Sequence, residues 1–349
     1  MSSDTAAGKT PSKRKYLLLT GFIIIVVAGW SGAWAYGRTV LADQLDLQFG
    51  RFSEQGTEVT CNDLTIGGYP WRYEIRCDDL KSLDLSGSES AVGGLTAVAL
   101  VYNPWHVILE AATPAAVSLP LAGVSGELTW ETARASARYS TEALGKVDVV
   151  VTKPALTVQN PAAEARILSE KAEFHLRPSP ETTGAVDGFF SIDGLKVDQL
   201  PSLTNPVDAR MHLQVLNGAP LLSGADLRSL VLANGGELPV RLVLAEVALG
   251  ASRFGSRGDL TVNGAGALSG TLTLTLVQPG DMLNSIRPLF PPDSNEFSIV
   301  ESLLSSLQPT GTDHHGDPAI EIPLLIDNGL MRMGFVTLGR IPPLFQTGS

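Results

Sequence analysis

Alternation between apolar and polar positions dominates the chain from about residue 57 onward. TLTLTL is the cleanest case, with Leu272, Leu274 and Leu276 on one side and Thr271, Thr273 and Thr275 on the other. The stretch 207–216, VDARMHLQVL, sets Met211, Leu213 and Val215 against His212 and Gln214. A period of two is the mark of a half-buried antiparallel strand. The same rhythm runs through 92–131, 134–139, 186–197, 237–249 and 258–263, with prolines and glycines as punctuation. Near the C-terminus, IEIPLLI and LMRMGFVTL flank Asp327-Asn328-Gly329, a strong hairpin signal.

Helical patterns are few. Residues 223–234 begin at Ser223, carry Asp226 three positions later and stop at Gly235-Gly236. Residues 280–289 form a shorter candidate. In 294–307, Phe297, Val300, Leu303, Leu304 and Leu307 fall on one stripe. No βαβ rhythm and no fixed-length repeat is visible. The pattern predicts a mainly β protein: an N-terminal transmembrane helix, then a long, curved antiparallel β-sheet body with a few short helices.

The transmembrane expectation rests on residues 16–36, YLLLTGFIIIVVAGWSGAWAY, which carry no charge. At about 1.5 Å per residue they span roughly 31 Å, enough to cross a bilayer core. Lys13-Arg14-Lys15 precede the run, while Trp30, Trp34 and Tyr36 gather at its far end as an interfacial belt would. A cleavable signal peptide competes with an uncleaved anchor, because Ala33-Trp34-Ala35 fits a small-x-small cleavage site behind an apolar 17–29. The continued apolarity of the last third favours the anchor. The resulting division is a cytoplasmic tail (1–15), an anchor (16–36), a linker with a short helix (37–56) and an exported β-rich domain (57–349). The body then lies in the periplasm, with the N-terminus cytoplasmic and the inner membrane as the first partner.

Composition sharpens this picture. Apolar residues make up 44% of the chain and charged residues only 17%. The net charge is −11, and Lys9, Lys13, Arg14, Lys15 and Arg38 against Asp4 leave the body more acidic still. An acidic body without a basic stripe excludes nucleic acid as the expected partner.

Both cysteines bracket one stretch, CNDLTIGGYPWRYEIRC, from Cys61 to Cys77. Its turn residues predict a hairpin centred near Tyr69 that sets the cysteines opposite each other, within bridging distance. Two buried thiols are the alternative. Within the turn, Gly68, Tyr69, Pro70, Trp71 and Arg72 form the candidate site. Gly68 and Pro70 read as turn chemistry. Arg72 either contacts a partner or head group beside Trp71 and Tyr73, or satisfies a carboxylate such as Glu74 or Asp63; the second reading is favoured.

Catalytic patterns are missing. Asp313-His314-His315-Gly316-Asp317 is the only dense cluster of metal-capable side chains, and it reads as a solvated loop without a metal. His106, His175 and His212 have no patterned partner. The glycines at 264–270 precede a strand where a dinucleotide fingerprint needs a helix. No nucleophile elbow, H-E-x-x-H or P-loop occurs, so neither an enzyme nor a cofactor is expected.

GGYPWR followed by EIRC, the GALSGTLTL segment and the closing DNGLMRMGFVTLGRIPPL resemble the Gram-negative bacterial family catalogued as domain of unknown function 2125. That family places a G-[FY]-P-x-R-x-x-x-x-C signature early in a periplasmic body behind a membrane segment. Here Gly68, Tyr69, Pro70, Arg72 and Cys77 fill it. The resemblance implies location and brings no activity. In architecture alone the body also resembles the AsmA-like envelope lipid-transport proteins, an analogy that is a weak warrant for function. Two functions are therefore expected. One is a lipid-binding or lipid-transfer module with Leu272, Leu274, Leu276, Phe297, Val300 and Leu304 facing lipid and 294–307 as lid. The other is a structural envelope protein with a closed core that binds another protein.

Overall fold

The computed structural model describes residues 13–345, apart from 55, 86, 121–122, 161–162, 200–204, 288–300, 303 and 305. It opens with one helix, α1 (Lys13–Glu54), none of whose residues is buried. The stretch expected to form a linker with a short helix (37–56) continues this helix to Glu54. Nothing in 37–54 stops a helix: no proline falls there and glycine only at Gly37 and Gly50.

An antiparallel meander follows. Its first row is β1 (Thr57–Asn62) with β2 (Thr65–Gly67), and its second is β3 (Arg72–Cys77) with β4 (Asp79–Asp84). β5 (Glu89–Leu100) pairs with both halves of that second row, and β6 (Asn103–Leu119) lies beside β5. β7 (Val124–Thr129) and β8 (Thr132–Tyr139) share the next row, and β9 (Leu144–Thr152) with β10 (Ala155–Asn160) the one after. β11 (Ala163–Leu168) and β12 (Lys171–Pro178) bring the ladder to β13 (Val186–Val197), again a single strand. β14 (Val207–Val215), β15 (Glu237–Leu249), β16 (Ser252–Asn263) and β17 (Leu268–Val277) continue in order. The two-residue β18 (Gly311–Thr312) pairs only with the start of β19 (Pro318–Asp327), which extends the ladder from β17. β20 (Leu330–Met333) and β21 (Val336–Arg340) close it.

The double rows share a cause. A line of breaks crosses the early part of the sheet at Asp63, Asp78, Gly93-Gly94, Trp130-Glu131, Lys153, Ser169-Glu170 and Gly194. Asp63 and Lys153 sit at φ 51° and 49°, left-handed conformations that interrupt a strand. Backbone bonds stitch the crease together, from Asp78 N to Asn62 O (3.1 Å), Glu131 N to Thr152 O (2.9 Å) and Lys153 N to Glu170 O (2.9 Å).

The expected hairpin forms, but in another register. Ile66 faces Ile75 and Cys61 faces Leu80, so the turn centres between Pro70 and Trp71 rather than on Tyr69. Gly68, at φ 95°, accepts a bond from Arg72 N (3.1 Å) and closes the turn. The Cys61–Cys77 disulfide is present nonetheless, with Cα atoms 5.7 Å apart. It runs diagonally across the crease, where Asp63 turns its strand and lets the two residues approach.

Helices match the pattern in part. α2 (Leu227–Ala233) is capped by Asp226, which accepts from Ser229 N (2.9 Å); Ser223 instead ends a 3₁₀ turn. α3 (Pro279–Ile286) starts at its proline. Leu230 and Val231 of α2 pack with Leu238, Val240 and Val262 into the tightest core. The closing segment LMRMGFVTL is split into β20 and β21 at Gly334 (φ 58°).

Removing the disulfide tests its place at the crease. Cys61→Ala, Cys77→Ala and the double variant should each lose roughly 2–5 kcal/mol, and by equal amounts. Thiol labelling of denatured, unreduced protein should find no free thiol in the wild type. Two free thiols would contradict the bond, and an unchanged melting temperature in the double variant would show that it adds no stability.

Candidate functional site

Paired residues in a ladder share a face and neighbours along a strand alternate, so the registers assign every side chain to one face of the sheet. One rung begins at Tyr73 and passes through Ala99, Val107, Ala137, Val147 and Leu176. It goes on through Gly188, Leu213, Leu242, Gly258, Leu272 and Leu324 without meeting a charge. The next rung on this face carries Ile75, Leu109, Val149, Phe174, Phe190 and Met211, then Leu274 and Ile322. Its one polar member is Ser256, whose buried Oγ has no partner among the described residues. These two rungs keep one face of the sheet apolar from β3 to β19 apart from Ser256.

That face is not sealed. Phe174, Met211 and Val247 are 40%, 44% and 42% exposed in the middle of the sheet. In the rows nearest α1 the side chains are small (Ala97, Ala99, Ala135, Ala137), which leaves depth above the backbone. α2 covers the face at one end of β14–β17. At the opposite strand ends Leu276, Leu304, Leu307 and Ile320 line a cleft of 630 Å³.

The other face carries charge. Lys146 and His175 hold Asp148 at 2.8 and 2.7 Å. Burial works against ionisation of this carboxyl, yet those hydrogen bonds and the nearby positive charge keep it below the usual carboxylate range. Gln214 donates to the buried Asp187 (3.0 Å), with His212 and Arg177 each 4.0 Å away. Asp148, His175, Arg177, Asp187 and His212 line, with Phe189, a hollow of 350 Å³. Sequence reading left His175 and His212 without partners, because Asp148 and Asp187 lie on other strands. His106 meets Ser136 (2.9 Å) in the same way.

The signature hairpin docks on α1. Trp30 Nε1 donates to Pro70 O (2.9 Å), and Trp34 Nε1 donates to Arg72 O (3.0 Å). Ser31 Oγ and Tyr69 Oη share a bond of 2.7 Å, and Tyr73 Oη donates to Trp34 O (3.4 Å). Trp34 stacks on Tyr73 with ring centroids 5.7 Å apart and meets Tyr69 edge-on at 5.4 Å. Trp30 lies 5.7 Å from Trp71. Tyr73 reaches the helix because residue 37 is glycine; a Cβ there would collide with its hydroxyl. The side chain that opens the apolar rung is thus the one stacked on the apolar helix α1.

Arg72 takes the structural role. It pairs with Glu74 at 2.6 Å, and Arg76 pairs with the same carboxylate, whose side chain is only 9% exposed. The turns beside the signature are aromatic. Trp71, Tyr102 and Trp105 are 63%, 72% and 46% exposed, and Val101 N donates to Trp71 O (3.0 Å), which brackets their loops together.

Among the residues expected to face lipid, Leu272 and Leu274 are half-buried on the apolar face and Leu276 is buried. The Thr side is not simply exposed, since Thr275 is buried against Gly255, where no side chain competes for the space. Leu304 lines the cleft, while Phe297 and Val300, with most of the expected 294–307 helix, lie outside the described residues. The 313–317 loop is less solvated than its sequence suggests. Asp313 is buried, bonded by Arg253 Nε and Nη2 at 2.8 and 2.7 Å, and it accepts from His315 N and Asp317 N.

An N-terminal helix long and apolar enough to cross a membrane, hydrogen-bonded to a disulfide-braced antiparallel meander, defines the class: a β-sheet protein with one candidate membrane span. Residues 34–342 match the model of the family described as an uncharacterized protein conserved in bacteria (DUF2125), and the chain belongs to that family. No curated protein and no solved structure matches it.

Helix–hairpin docking is open to a double-mutant cycle. Gly37→Ala should weaken the junction despite alanine's better helix propensity of about 1 kcal/mol, because its Cβ displaces Tyr73. In a Tyr73→Ala background the same change should cost nothing or stabilise. Tryptophan fluorescence during urea unfolding of full-length protein in detergent reads both, and equal effects in the two backgrounds would refute the contact.

Proposed function

We propose that the protein is a membrane-anchored, non-enzymatic carrier of lipid acyl chains, and that the apolar face of its sheet is their track. The observation that carries this reading is the uninterrupted apolar rung from Tyr73 to Leu324, joined at Tyr73 to Trp34 of the membrane helix. A soluble body has no reason to keep Phe174, Met211 and Val247 on a half-open face unless something apolar covers them. A continuous route from the bilayer interface makes a lipid the natural occupant.

Placement of the body outside the cytoplasm, in the periplasm, completes the proposal. A disulfide persists in an oxidising compartment, and the basic residues Lys13, Arg14 and Lys15 precede the span. Exposed Trp71, Tyr102 and Trp105 at the sheet edge nearest the helix suit an interface with head groups. Cleavage behind Ala35 would strip Trp30, Ser31 and Trp34 from the hairpin, so the docking favours a retained anchor.

A periplasm-dependent reporter fused after Ser349 should be active, and an active cytoplasmic reporter there would overturn the topology. Full-length protein purified in mild detergent should yield lipid on organic extraction and mass spectrometry. Phe174→Glu and Met211→Glu place charge on the track at half-exposed sites and should cut the yield at least about tenfold, a change of only 1.4 kcal/mol. Lipid absent from the wild type, or unchanged in both folded variants, would refute the track.

A further inference from the structure

Glu246 stands out on the charged face of β15. Its side chain is 6% exposed, and among the described residues its carboxylate pairs with the imidazoles of His314 and His315. His314 Nδ1 lies 3.2 Å and His315 Nε2 lies 3.7 Å from Glu246 Oε2. One ligand atom from each of the three residues falls within 4.8 Å of the others. Zinc bonds of about 2.0–2.2 Å set tetrahedral ligand atoms roughly 3.3 Å apart. The His314–Glu246 separation of 3.2 Å already fits, and the His315–Glu246 separation of 3.7 Å exceeds it only slightly.

The loop that presents the imidazoles is held in place. Asp313 N donates to Asp317 O (2.9 Å), and the Asp313 carboxylate accepts from His315 N and Asp317 N (2.9 Å each). Arg253 binds both Asp313 and Asp317, and Glu246 is the carboxylate that faces the rings. Adjacent histidines in a floppy loop would not converge. Here the side chain in front of them and the backbone behind them are both fixed.

We propose that Glu246, His314 and His315 form a binding site for a borderline divalent transition-metal ion, with Zn²⁺ as the type case. Two imidazoles and one carboxylate suit Zn²⁺, Ni²⁺ or Cu²⁺ far better than Mg²⁺ or Ca²⁺, which select oxygen ligands. Three protein ligands leave a fourth position for water. The ion would tie β15 to the loop before β19, across β16 and β17, beside the cleft lined by Leu276, Leu304 and Ile320. Its role is to clamp the sheet at that cleft, and it stands independently of lipid carriage.

The test uses full-length protein in detergent, stripped with chelator and titrated with Zn²⁺ by calorimetry and with Co²⁺ by visible absorption. One equivalent should bind, with a tetrahedral Co²⁺ spectrum and a raised melting temperature. His315→Ala changes a half-exposed ring and should weaken Zn²⁺ at least about tenfold while leaving the far-UV spectrum intact. Glu246→Gln should do the same, and His175→Ala on the opposite flank of the charged face should change nothing. Absence of stoichiometric binding by the wild type would overturn the site. So would binding that His315→Ala and Glu246→Gln leave untouched.

Discussion

Parity is the constraint on which this structure rests. A side chain's face is decided by whether its position along the strand is odd or even, and a slip of one residue inverts a whole strand. The meander crosses many registers between Tyr73 and Leu324 and keeps one face apolar through all of them. Irregularities do not spoil this. Between β14 and β15, Val243 is skipped, so that His212 faces Leu244 while Leu213 still faces Leu242. Leu242 and Ala245 then meet Gly258 and Ser256, and the apolar set stays on its side. A greasy face and a charged face can coexist on a single thin sheet only because parity survives each bulge.

Much of this was legible from pattern. The alternation in 207–216 and 271–276 specifies strands with one apolar side, and Asn328-Gly329 specifies a turn, because both signals are local. The register of the first hairpin was not legible. Counting outward from Tyr69 pairs Cys61 with Cys77, whereas the turn residues Gly68 to Trp71 move the centre beyond Pro70 and set Cys61 against Leu80. The bond survives because Asp63 and Asp78 break both rows at one point, which no count of residues reveals. Contacts between distant strands were equally hidden. His175 with Asp148, and His314 with Glu246, are neighbours only through the ladder. Nor does any local signal announce that Gly37 makes room for Tyr73, since a glycine in a helix reads as mere weakness.

The junction at Trp34 changes what the proposed anchor would do. An anchor on a slack tether would tell the body where to be but not how to be oriented. Here the helix runs unbroken to Glu54, and the signature hairpin is bonded to its side through Trp30, Ser31 and Trp34. The Gly-Tyr-Pro-x-Arg order then has a division of labour. Gly68 and Pro70 shape the turn, Tyr69 and the main-chain oxygens of Pro70 and Arg72 hold the helix, and the Arg72 guanidinium shields the buried Glu74.

The line of breaks from Asp63 to Gly194 gives the sheet a preferred axis of bending. Across most rows the ladder resists flexing because every rung is shared by continuous strands. Along the crease the paired short strands are interrupted, and main-chain bonds such as Lys153 N to Glu170 O join their halves, while β5, β6 and β13 cross it unbroken. The interrupted rows divide the sheet into two leaves joined through the unbroken strands. The covalent bond between Cys61 and Cys77 sits at the first rows of that axis, beside the strands docked on α1. The two leaves are therefore riveted at one end by the disulfide and held at the other by the unbroken β13, so any flexing is confined to the interrupted rows between them.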